Sequence, residues 1–60
     1  MTITIMRQDN EQVKLSSKDK RFEDTWHRVV VPDIELFNMM SEIADWCNNV
    51  LGVECLFELE

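Results

Sequence analysis

The sequence predicts a small two-layer α+β domain of order ββ-β-α-β, with one amphipathic helix packed on one face of a three- to four-stranded sheet. Three observations carry this. Short segments of alternating apolar and polar residues stand at both ends of the chain. Between them, residues 33 to 51 place their apolar side chains at helical spacing. With 60 residues there is room for a single domain only, 1–60, and 45% hydrophobic content with one Gly and one Pro is the composition of a chain that folds.

Thr2-Ile3-Thr4-Ile5-Met6 alternates as a half-buried strand does, and Gln12-Val13-Lys14-Leu15 repeats the pattern. Gln8-Asp9-Asn10-Glu11 between them supplies turn formers, so an antiparallel hairpin is expected, although Asp-Asn is a poorer turn than Asn-Gly. Ser16 to Arg21 is polar and reads as a loop. Phe22 to Val31 has strand composition, densest from Thr25 to Val31, and Pro32 ends it because proline cannot donate to a ladder. The favoured register buries Val29 and Val31 and turns Trp26, Arg28 and Val30 to the other face, which keeps Arg28 out of the core.

Pro32-Asp33 is a helix start, with Asp33 either the N-cap or a first-turn acid, and Gly52 is a natural stop. At about 100° per residue, Leu36, Phe37, Met39, Met40, Ile43, Ala44, Trp46, Cys47, Val50 and Leu51 share one half of the wheel. Glu35, Asn38, Ser41, Glu42, Asp45, Asn48 and Asn49 share the other. Val53, Cys55, Phe57 and Leu59 then alternate with Glu54, Leu56, Glu58 and Glu60, a second half-buried strand. Strand, helix and strand in succession imply a right-handed parallel crossover, with the hairpin extending the same sheet.

Charge is the main functional signal. Residues 1 to 30 hold all six basic residues against five acids, a net of +1, whereas residues 31 to 60 hold seven acids and no base, a net of −7. Solubility alone accounts for some of this, since a small protein needs net charge. An exposed helix, however, ordinarily mixes signs for pairing four residues apart, and uncompensated repulsion over thirty residues points to a basic partner.

Other chemistry fares less well. Cys47 and Cys55 are on inward-facing positions and can approach one another, but buried cysteine usually acts as a small hydrophobe. Two cysteines and the single His27 do not make a zinc set, and no cofactor motif is present. His27 with a cysteine is the one conceivable nucleophile and base pair, and it lacks an orienting third group. Glu42 and Asp45 share a helix face, where exposed carboxylates stay ionised rather than transfer protons. Lys18-Asp19-Lys20-Arg21 reads as a solvated loop, because the interleaved acid and the net charge of −6 oppose nucleic-acid binding. An enzyme is therefore not expected. Too few cysteines for a secreted disulfide framework, no leader and no apolar run of about 20 residues place the chain in the cytoplasm, away from the membrane.

In size and charge the chain is similar to the small acidic single-domain inhibitors encoded by bacteriophages, among them DNA-mimic, anti-restriction and anti-CRISPR proteins. That resemblance implies a host-cytoplasmic, non-enzymatic inhibitor that blocks a basic, nucleic-acid-binding site on another protein. The expected partner-binding residues are Glu35, Glu42 and Asp45 on the helix, and Glu54 and Glu58 on the open sheet face around Trp26 and Leu56. The alternative is an assembly role, a homodimer formed through the open sheet face or a strand edge.

Overall fold

The computed structural model describes residues 1–27 and 29–60. Arg28, and with it the expectation that its side chain avoids the core, lies outside the described residues. Four strands form one mixed sheet in the order β3-β2-β1-β4: β1 is Thr2–Arg7, β2 Gln12–Ser16, β3 Val29–Pro32 and β4 Leu56–Leu59. Two helices pack on it, α1 (Lys20–Trp26) and α2 (Leu36–Trp46). The small α+β class is as the sequence predicts.

The β1–β2 hairpin pairs Ile5 with Leu15 and Arg7 with Val13. Its loop closes through the Gln8 N–H donating to the Gln12 carbonyl at 2.7 Å. The turn is centred one residue later than the Asp-Asn pair suggests: Asn10 and Glu11 both have left-handed φ, 63° and 58°. Asparagine tolerates that region, but glutamate is strained in it. Glu11→Gly should therefore raise stability by about 1 kcal/mol and the melting temperature by roughly 4–8 °C. Thermal melting followed by circular dichroism checks this.

Alternation does what the sequence indicates along the sheet. Ile3, Ile5, Val13, Leu15, Val29 and Val31 are buried on the helix side, and Val30 is exposed on the other, which is the favoured register of β3. The segment before β3 differs from expectation. Residues 20 to 26 form α1 rather than loop and strand, because Asp19 caps a helix: its carboxylate accepts the Arg21 N–H at 2.9 Å. Phe22 and Trp26, four residues apart, then share the face of α1 turned to the core.

The long helical stretch opens with a tight 3₁₀ turn at Asp33–Glu35, continues as α2 and ends in a π-helical turn at Cys47–Leu51. Asp33 is a first-turn acid and not the cap, which is Pro32. Gly52 ends the stretch in the left-handed conformation, φ 67° and ψ 28°, as its position suggests. A Cβ placed on Gly52 would meet no atom within 4 Å. Gly52→Ala thus carries only the backbone penalty, about 1 kcal/mol of lost stability, readable in a urea melt.

The crossover from β3 to β4 keeps the two strands parallel in direction. It does not land beside β3, however, but passes over the sheet to the far edge, where β4 pairs with β1 in register Thr2↔Leu56 to Ile5↔Leu59. Ile43 and Cys47 are fully buried in the core that the sheet and helices share. Phe37 and Val50, expected on the buried half of the wheel, remain exposed.

Candidate functional site

All seven acids of the second half are exposed. Glu35 ends the 3₁₀ turn, and Glu42 and Asp45 follow on the same side of α2, a row of roughly 15 Å at 1.5 Å per residue. Glu54 precedes β4 and Glu58 lies within it, on the sheet face away from the helices, opposite Thr4 of β1. The helix acids and the β4 acids are therefore divided by the hydrophobic layer.

Cations seldom reach them. Among the described residues the ion pairs are Arg7–Asp33, at 2.8 Å, and Arg21–Asp19, at 2.7 Å. The second pair is within the first half of the chain. It also hydrogen-bonds Asp19 strongly enough to hold that carboxyl down near pKa 2, with the Arg21 backbone N–H as the next cause. Of the acids after residue 30, only Asp33 has a basic partner among the described residues. Glu35, Glu42, Asp45, Glu54, Glu58 and Glu60 make no ion pair among the described residues, although Lys18 lines the same shallow cavity as Glu58 and the Met1 ammonium donates to the Glu54 carbonyl at 2.9 Å.

The expected aromatic centre of the open sheet face is not there. Trp26 belongs to α1, on the opposite side of the sheet, where its ring stacks on Phe22 (centroids 6.4 Å, 22°) and meets Trp46 edge-on (5.8 Å, 87°). Phe22 and Trp46 are also in edge contact at 6.3 Å. These three rings close the core under α1, so Trp26 is a packing residue and leaves the list of contact residues. Trp46 and half-buried Met39 complete the core as well. The Trp26 Nε1 finds no acceptor among the described residues.

Without Trp26 the open face is mixed: Lys14, Met6 and Val30 stand in one row, and Ser16, Thr4 and Glu58 in another. Val30 and Leu56 lie on opposite edge strands, three strand spacings and a four-residue offset apart, roughly 19 Å in all. The other exposed large apolar side chains are spread over several elements, Ile34 in the 3₁₀ turn and Val50 in the π-helical turn among them. Leu56, 59% exposed, and Leu59, 76% exposed, stand on the two faces of β4, and Phe37 of α2 is 79% exposed. Leu59 and Phe37 look like core residues by periodicity. Leu59 stands near the end of the edge strand β4, and periodicity carries no signal for such tertiary placement.

The two cysteines come together as their positions suggest. Both are free thiols. Cys47 is buried and its Sγ lies 3.8 Å from Met1 Sδ. Burial, and then a hydrogen bond with Cys47, push the Cys55 thiol up to about 11. Cys55 consequently keeps its proton in the folded chain to about pH 11, while an unfolded chain releases it near the ordinary 9.0. Its contribution to stability is full below pH 9 and lost as pH rises towards 11. Urea midpoints of the wild type should therefore fall more between pH 8 and pH 11 than those of Cys55→Ala. His27 sits apart, in a shallow cavity of about 330 Å³ lined by Lys14, Ser16, Ser17, Phe22 and Glu23, with no cysteine in its wall. Among the described residues, no group of three His, Cys, Asp or Glu side chains is placed to hold a metal ion. No described helix is long and apolar enough to cross a membrane.

No family model, curated protein or solved structure matches this chain.

Proposed function

We propose that the chain is a small, acidic, non-enzymatic binding protein that docks on the basic, nucleic-acid-binding site of another protein and blocks it, as phage-type inhibitors do. One observation carries the reading: six exposed acids after residue 30 form no ion pair among the described residues, on a half-chain without Lys or Arg. Such a surface repels itself, and a basic partner relieves that repulsion while gaining association rate from long-range attraction. Glu54, Glu58 and Leu56 on the β4 side are the contact residues of this proposal, with Glu35, Glu42 and Asp45 on the helix side as the alternative contact face or a contributor to the long-range field. The reducing cytoplasm, where Cys47 and Cys55 stay thiols, is the compartment it implies.

The assembly reading, a homodimer or small subunit, has its own support in the exposed Leu56 and Leu59 on an edge strand. Sedimentation separates the two. A monomer at micromolar concentration that captures a nucleic-acid-binding protein from its native cell extract, and releases it in high salt, supports inhibition. A concentration-dependent dimer that Leu56→Ala dissociates supports assembly. Trp26→Ala, which would have reported on the sheet face had Trp26 been there, instead reports on the core.

A further inference from the structure

We propose that the free edge of β4 receives an extended, basic segment of the partner protein, which adds to the sheet as a fifth strand. The inference rests on the acidic-binding reading and names the form the partner takes at this surface.

β4 is paired on one side only, with β1. The N–H groups of Leu56 and Glu60 donate to the Met1 and Ile5 carbonyls at 2.8 and 3.1 Å. Strand pleating then sends the backbone N–H and C=O of Phe57 and Leu59 outward, to an edge nothing covers. Natural edges are ordinarily blunted by Lys or Pro. The β3 edge ends in Pro32, whereas β4 carries neither.

The side chains around that edge suit an incoming strand. Leu59 is uncovered on the helix side and Leu56 on the open side. Phe37 precedes Trp46 by nine residues, which is half a turn beyond two full turns of helix. Trp46 packs on α1, so Phe37, on the opposite side of the helix, projects away from that cluster and is exposed. Apolar side chains of the guest would meet Leu59 while its basic side chains, on the other face, meet Glu54 and Glu58. A second copy of this chain fits poorly as the guest, because β4 against β4 brings Glu54, Glu58 and Glu60 of both copies onto one face of the joint with no base among them.

Three capped heptapeptides test this against the isotope-labelled full chain: alternating Lys and Val, alternating Glu and Val, and the Lys-Val peptide with every backbone nitrogen methylated. The Lys-Val peptide should slow hydrogen exchange at the Phe57 and Leu59 amides at least tenfold, and the other two should not. No slowing at up to about 1 mM peptide overturns the inference. Binding whose shifts are confined to α2 around Glu42 and Asp45 also overturns it, while leaving the acidic-binding reading standing. Equal protection by the Glu-Val peptide overturns both. Protection of these amides by self-association without peptide makes a second copy the occupant and overturns the basic guest.

Discussion

Phe22→Ala is expected to leave the chain largely unfolded at 25 °C. Phe22 is 1% exposed, and its ring touches both Trp26 and Trp46, so it joins α1 to α2 over the sheet. Truncating a buried phenylalanine costs about 3–5 kcal/mol, transfer and cavity together. A domain of this size has roughly 3–9 kcal/mol in total, at 0.05–0.15 kcal/mol per residue, and buries less of its surface than larger domains do. The loss is therefore comparable with the whole margin. Trp26→Ala should act in the same direction through the same cluster. Urea titration followed by tryptophan fluorescence checks Phe22→Ala, and Phe22→Leu, which keeps most of the volume, should retain a cooperative transition. A wild-type midpoint for Phe22→Ala would mean that α1 contributes little to the core.

Charge reversal is expected to separate the two acidic faces. Glu54→Lys with Glu58→Lys should weaken binding of the basic partner by about 100-fold, since it replaces attraction by repulsion beside the uncovered β4 edge. Glu42→Lys with Asp45→Lys should cost about tenfold, through the long-range field alone, because the row on α2 lies beyond the hydrophobic layer from β4. All four residues are exposed, and these changes remove no ion pair among the described residues. Both variants should melt within a few degrees of the wild type. Isothermal titration with the captured partner gives the two affinities.

Much of the fold is legible in the sequence because period and punctuation agree there. Thr2 to Met6 and Gln12 to Leu15 alternate cleanly, Pro32 and Gly52 bracket the helical stretch, and the structure follows all four signals. α1 is harder to read. Thr25, Trp26 and the three valines after it favour strand by composition, and a helix of two turns has little room to show a period. The signal was local: Asp19 as a cap, then Phe22 and Trp26 four residues apart.

The site divides along the same line. The acids and Leu56 are exposed where alternation puts them, because short-range periodicity fixes the face on which each stands. Trp26 moved to the other side of the sheet once its segment became helical. The exposure of Leu59 depends on β4 pairing with β1 at the far edge. That is a tertiary choice, made by how the sheet is ordered, and no window of residues encodes it.

The salt dependence of affinity for the captured partner, measured on the wild type and on both double reversals, tests the central claim most directly. Docking of an uncompensated acidic surface on a basic site requires the wild-type affinity to fall at least tenfold between low and high salt. It further requires the slope to flatten in the Glu54→Lys, Glu58→Lys variant. An affinity that is independent of salt and unchanged in both double reversals would contradict it.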